Sequence, residues 1–153
     1  HGDETLILAE PLVARVLGQD ARPERVMDAA ELVGRAYAPP FPFVPGAHRV
    51  VAAGFVTTGD GTGIVHIAPA FGEDDMRTAR DHGLDAPNPV DPAGRFTDAV
   101  GPFAGRAVKE ADPDLVADLE RRGLLLRAET YRHAYPHCWR CGTPLLYYAK
   151  PSW

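Results

Sequence analysis

The sequence predicts an α+β fold in which short extended segments and a few short helices are joined by long connections. Three observations lead there. Runs such as residues 5–9 (TLILA), 48–52 (HRVVA) and 64–68 (IVHIA) are short and rich in β-branched side chains, which suit a pleated surface. Helix-period apolar positions are confined to a few stretches that end at glycine. Fifteen glycines and fifteen prolines among 153 residues leave room for many turns and few long helices. Strands and helices do not alternate regularly, and there is no internal repeat or low-complexity tract.

Taken in order, residues 5–9 read as a strand. Pro11 fits the first turn of a helix carrying Leu12, Val13, Val16 and Leu17, with Gly18 as its stop. Residues 25–27 read as a second short strand. Residues 37–45 (YAPPFPFVP) hold four prolines, which exclude a regular helix or a central strand. They are expected to form an ordered surface loop pinned by Tyr37, Phe41 and Phe43. Strands follow at 48–52 and 54–56, and residues 57–63 (TTGDGTG) have turn chemistry throughout. After the strand at 64–68, Pro69 cannot donate to a ladder and ends it. A helix is predicted from Glu73 to His82, with Met76 and Ala79 inward and Gly83 as its C-terminal glycine. Residues 86–92 form a loop, and 91–95 form a turn between two short extended segments. Asp112 as N-cap and Pro113 as first helical residue open a last helix, faced by Leu115 and Leu119 and stopped at Gly123. Residues 124–127 and 129–133 read as extended.

Apolar residues make up 45% and charged residues 24%, an ordinary soluble globular composition. The net charge of −5 argues against a broad nucleic-acid-binding surface, though not against a local contact with a strand end. No apolar run is long enough to cross a bilayer, and no signal peptide opens the chain, so a cytoplasmic location is expected.

The chemistry concentrates in residues 61–75, GTGIVHIAPAFGEDD. Gly61, Thr62 and Gly63 make a tight turn where a ligand can approach backbone amides, because two of its residues lack a Cβ. The strand period places Ile64, His66 and Ala68 on one face, so a single polar side chain interrupts an apolar surface. His66 is open to four roles: a satisfied core histidine, a wall facing a ligand, a general base or a metal ligand. Glu73, Asp74 and Asp75 sit where acids complement a helix dipole. Any of them could instead anchor a cationic group such as an α-ammonium, and spacing alone does not choose among them. There is no HExxH-like or facial-triad spacing, and Ser152, the only serine, has no nucleophile-elbow context. Cys138 and Cys141 form a C-x-x-C, which supplies two of the four ligands a structural zinc takes. His133 and His137 could complete it locally, or the missing pair could lie outside the chain.

These blocks resemble a known family. GTGIVHIAPAFGEDD followed by DHGL, and the closing YPHCWRCGTPLLYYAKPSW, look like the editing insertion of isoleucyl-tRNA synthetases. The spacing fits as well, and a weaker similarity extends over LILAEPLVARVLG and APPFPF. The valyl and leucyl enzymes share the GTG turn and a final Asp but differ at the His66 position and in the CWRC ending.

The resemblance implies a β-barrel-like editing domain of a class I aminoacyl-tRNA synthetase with short flanking helices. Residues 1–134 would be the editing domain, and 135–153 a half zinc-knuckle with a return segment toward the catalytic core. The implied reaction is hydrolysis of the ester joining valine to the 3′ end of tRNA(Ile). Asp75 would hold the α-ammonium of the misattached amino acid. His66 would line the amino-acid pocket and help exclude isoleucine. Gly61, Thr62, Gly63, Ala68, Pro69 and Phe71 would shape the rest of that pocket and the terminal-adenosine site. Cys138 and Cys141 would be one half of a structural zinc site, with no cofactor needed for the editing chemistry. The implied partners are the tRNA(Ile) 3′ end and the rest of a parent synthetase, without a membrane and as a monomer. The family's threonine-rich strand and its other cysteine pair are expected upstream of His1. The HIGH and KMSKS signatures of aminoacylation are absent from these residues, so the piece is expected to edit rather than to activate isoleucine, and to hydrolyse poorly alone. Two other readings stay open: a non-catalytic insertion that binds the tRNA end, and a small zinc-ribbon interaction module.

Overall fold

A computed structural model describes residues 4–46, 48–130 and 133–150. The chain divides into two compact units, one built from His1–Tyr37 and Arg49–Ala68, the other from Ala38–His48 and Pro69–Trp153.

In the first unit, a 3-10 turn at Glu10–Leu12 carries Pro11 and runs directly into helix α1, Val13–Leu17. Pro11 fits there because its missing N–H falls among donors that a first turn leaves unpaired in any case. Leu12 and Val13 are buried, and Gly18 ends the helix with a positive φ of 104°. Arg15 reaches from this helix to the 57–63 loop, donating to the Gly59 carbonyl and to Asp60 Oδ1 at 2.7 Å each. A second 3-10 turn, Ala29–Glu31, is fixed by a capping box in which Asp28 and Glu31 accept from each other's backbone region.

Among the described residues none of the expected strands carries a ladder, and Gly54 and Phe55 lie in a turn, with Val56 N–H donating to Ala53 O at 3.3 Å. Pairing is limited to four isolated antiparallel bridges, of which Ala36 with Arg49 lies in this unit. Residues 5–9, 25–27, 54–56, 64–68 and 124–127 have no named strand. The side chains of Ile64 and Val65 are half exposed. Residues 129–133 are described only in part, because 131–132 lie outside the described residues.

The second unit holds α2, Glu73–His82, whose bounds match the sequence expectation. The acids of its first turn complement the helix dipole, and Gly83 adopts φ 60° to let Leu84 N–H close back on Ala79 O at 2.8 Å. Ala79 is buried as expected, Met76 is only half-buried, and the buried neighbour of Ala79 is Thr78.

The turn at 91–95 forms as read. Asp91 accepts from the N–H groups of Ala93 and Arg95, and the Val90–Phe96 bridge pairs the flanking segments. Helix α3, Val108–Arg121, begins earlier than the sequence suggested. Ala107 is the N-cap, and Asp112 and Pro113 lie inside the helix rather than opening it. The reason is burial: Ala111, fully buried, packs with Val100 and Phe103 in the core, and Phe43, Phe96 and Leu115 pack around them. The proline forfeits one backbone hydrogen bond, and the packed first turn outweighs it.

The proline-rich loop is pinned by Phe41 and Phe43, which stack at 5.7 Å, with Phe43 edge-on to Phe103. Tyr37 is 45% exposed. Arg122 closes the arrangement, donating to Pro40 O at 2.7 Å and lying over the Phe41 ring. Among the described residues no helix is long and apolar enough to cross a membrane.

Asp118, near the end of α3, is held below the usual carboxylate range by hydrogen bonding to Arg121 and by the charge of Arg122. A depressed folded-state pKa contributes stability above the ordinary carboxylate pKa, and that contribution is lost as pH falls through the folded value. Urea melts of Asp118→Asn and wild type should therefore differ most at neutral pH and converge as the pH is lowered below about 4. A difference that persists unchanged into acid would reject this role for the carboxylate.

Candidate functional site

The stretch singled out by sequence spans the end of the first unit and the start of the second, so each part is described within its own unit. Gly61, Thr62 and Gly63 form the turn, with φ values of 68° and 78° at the two glycines. Ala9 N–H donates to Thr62 O at 2.8 Å, and Thr62 Oγ1 donates to Ile64 O at 3.1 Å. This pins the turn against residues 5–9. A Cβ on Gly63 would sit 2.5 Å from Ala9 Cβ, so the close approach itself requires glycine. His66 is exposed on the extended segment, and Ala68 closes the first unit, half-buried.

Pro69 opens the second unit in a 3-10 turn, Pro69–Phe71, that leads into Gly72, the N-cap of α2. The three acids that sequence could not separate now differ. Glu73 and Asp74 are both ion-paired to Arg77, at 3.2 Å and 3.0 Å, and their side chains are 88% and 58% exposed. Such exposed pairs are each worth only about 0.3–0.5 kcal/mol. Asp75 is half-buried, and its carboxylate folds back across the helix N-terminus. A Cβ on Gly72 would meet Asp75 Cγ and Oδ2 at 3.0 Å. Gly72 is thus the residue that lets the carboxylate take this position, a role the sequence pattern did not single out. Gly72→Ala should leave the fold intact but displace the carboxylate by a few tenths of an ångström. A crystal structure of Gly72→Ala should show that displacement, and an unmoved Asp75 carboxylate would remove Gly72 from this role.

Phe71 lies edge-on to Tyr148 at 6.4 Å. The closing segment returns here: Ala149 N–H donates to Ala70 O at 2.9 Å, and Tyr148 Oη donates to Val90 O at 2.8 Å. Between this segment and α2 lies a groove of about 450 Å³, lined among others by Phe71, Met76, Arg77, Arg80 and Tyr147. No local sequence signal marks it, because it depends on residues 147–149 folding back onto residue 70.

Cys138 and Cys141 lie on a tight knuckle. Cys138 N–H donates to Thr143 O at 2.8 Å, Gly142 N–H donates to Cys138 O at 2.9 Å, and His137 bridges Pro144. Cys141 Sγ is 3.1 Å from Thr143 Oγ1. Hydrogen bonding from the Thr143 side chain, then from its backbone, pulls the Cys141 thiol below its ordinary pKa. His137 Nδ1 faces Tyr135 O at 2.8 Å instead of the cysteines. Among the described residues no group of three or more His, Cys, Asp or Glu side chains converges to hold a metal.

Sequence comparison places this chain among the aminoacyl-tRNA synthetases. No protein-family model matches it. It is 50% identical over 143 residues to an isoleucine–tRNA ligase of Nocardia farcinica, covering 92% of this chain and 14% of that protein. It is 49% identical over 156 residues to one of Streptomyces coelicolor, covering 99% of this chain and 15% of the relative. An isoleucine–tRNA ligase 2 of Pseudomonas fluorescens is 50% identical over 155 residues, covering 100% of this chain and 15% of its own length. The chain belongs to the isoleucine–tRNA ligase family and spans about 15% of the length of these curated relatives.

Proposed function

We propose that this chain is the editing insertion of an isoleucine–tRNA ligase, with the β-barrel-like architecture implied by its motifs, and that within the parent enzyme it hydrolyses valine from misacylated tRNA(Ile). The observation that carries the reading is the distinct placement of Asp75. Its two acidic neighbours are spent on Arg77 at the surface, while Asp75 is half-buried and turned across the start of α2. A carboxylate so held can accept from an α-ammonium and fix the attached ester relative to a water. His66 would form the wall that excludes isoleucine, with Gly61, Thr62, Gly63, Ala68, Pro69 and Phe71 shaping the remainder.

The chemistry explains why such a site is needed. Isoleucine and valine differ by one methylene, which an apolar pocket resolves by about 1–3 kcal/mol, and this pair of amino acids is the standard example of that limit. A second site that selects by size needs a tight wall, an ammonium anchor and a water, and no covalent nucleophile. Positioning can supply much of the rate.

The partners under this reading are the tRNA(Ile) 3′ end and the rest of a cytoplasmic, monomeric ligase. The Cys138–Cys141 knuckle fits half of a structural zinc site in donor type and in the hydrogen bonding of its sulfur. Bound there, zinc would fix the two thiolates and hold the return segment. The direct test is release of valine from Val-tRNA(Ile) by the full-length ligase, wild type against Asp75→Ala. Loss of release with tRNA binding retained supports editing. Full release by the variant would favour a non-catalytic insertion that only binds the tRNA end.

A further inference from the structure

We propose that the tip of the cysteine knuckle, Trp139 with Arg140, is a stacking platform for an unpaired nucleotide of the RNA partner. The proposal rests on the reading above that RNA is the partner, and adds a contact that the ester chemistry does not require.

Trp139 is 86% exposed, the most exposed large apolar side chain among the described residues. The Arg140 guanidinium lies 4.7 Å from the centre of its ring, so one face of the indole is covered by a cation and the other is open. The tip is held from beneath rather than free to swing. Cys138 N–H to Thr143 O, Gly142 N–H to Cys138 O and Leu145 N–H to Pro136 O tie both arms of the knuckle together, and Tyr135 Oη donates to Leu145 O at 2.7 Å. A loop whose backbone is tied in this way loses little freedom when its indole stacks, which favours a flat partner over one that must be wrapped.

Charge identifies that partner. The last acidic residue of the chain is Glu129, so residues 130–153 carry Arg132, Arg140 and Lys150 with no Asp or Glu. Residues 1–129 carry 13 basic against 21 acidic side chains. The knuckle therefore lies in a cationic stretch of an acidic chain. That stretch also holds six of the thirteen aromatic residues (Phe, Trp and Tyr together). Lys109 adds a further cation beside it, over the Tyr135 ring at 4.9 Å. An exposed indole with an adjacent guanidinium suits a base on the ring and a phosphate on the cation, as in proteins that hold single strands. A duplex, with its bases already stacked, offers the indole nothing to stack on.

The test uses this chain carrying Trp153→Phe, so that Trp139 is the sole indole, with a short single-stranded RNA ending in CCA and a duplex of the same sequence as probes. The single strand is expected to quench Trp139 emission, and the duplex is expected to bind more weakly. Trp139→Ala should weaken single-strand affinity, read by anisotropy of the labelled RNA, about tenfold, and Trp139→Phe should restore most of it. Arg140→Ala should lower the slope of log affinity against log salt by about 0.7, one phosphate contact on a single strand. Equal affinity of wild type and Trp139→Ala overturns the proposal, as does equal binding of duplex and single strand. So does protection of Trp139 from acrylamide in the RNA-free parent ligase, which would mean a protein partner. The RNA carries no amino acid, so this outcome is independent of whether Asp75 supports ester hydrolysis.

Discussion

Asp75→Ala should lower deacylation of Val-tRNA(Ile) by the full-length ligase about 100-fold, with folding unchanged. Truncating one partner of a desolvated, hydrogen-bonded charge pair costs about 2–5 kcal/mol, and 100-fold, about 2.7 kcal/mol, lies in the lower half of that range. The effect should be specific to this acid. Glu73→Ala and Asp74→Ala each remove one exposed contact to Arg77 and should leave hydrolysis within about twofold. Folding should survive Asp75→Ala because other groups still order the α2 start. Met76 N–H still donates to Gly72 O at 2.9 Å, and Glu73 and Asp74 still complement the dipole. Single-turnover hydrolysis and circular dichroism on the same preparations separate the two effects. Equal losses from all three substitutions would mean that general acidity of the helix start matters, not the placement of Asp75.

Gly63→Ala should be the most destabilising single substitution in the turn, by about 2–5 kcal/mol in urea unfolding. Two terms add. A side chain at φ 78° meets the left-handed strain that only glycine avoids, about 1–2 kcal/mol. Its Cβ would also lie 2.5 Å from that of Ala9, and relieving such an overlap costs about 1–3 kcal/mol. The turn would have to move away from residues 5–9, breaking the Ala9 to Thr62 hydrogen bond. Gly61→Ala has the strain without the overlap, since nothing lies within 4 Å of its Cβ position. The gap between the two variants thus measures the close approach alone. Equal destabilisation would show that the contact with Ala9 contributes nothing.

These two positions also mark how far the sequence could be read. The α2 helix was legible end to end, because first-turn acids, a 3.6-residue period and a terminal Gly83 all point the same way. The Gly61 to Gly63 turn was legible for the same kind of local reason. The start of α3 was not. Asp112 and Pro113 form a strong local opening signal, and the burial of Ala111 against Val100 and Phe103, which only tertiary structure reveals, overrides it. The β-branched content that suggested strands does not carry their pairing partners, which are a long-range property, and at residues 54–56 a turn stands where a strand was expected. Within the site, sequence offered three candidate acids at one helix start. What distinguishes Asp75 is a backbone glycine three residues earlier and an arginine that engages the other two, a discrimination made by side-chain direction and not by spacing.

The central claim is that Asp75 anchors the α-ammonium of the amino acid to be removed. The most direct measurement pairs a substrate change with the residue change. Wild-type and Asp75→Ala ligase would be compared on Val-tRNA(Ile) and on tRNA(Ile) carrying the α-hydroxy analogue of valine, which has the same side chain and ester but no ammonium. If Asp75 and the ammonium form one interaction, removing either should slow hydrolysis about equally, and removing the second should add little, because coupled partners are strongly non-additive. Losses that multiply, with the variant still slowed further by the hydroxy substrate, would mean that the carboxylate and the ammonium act independently, and would contradict the account.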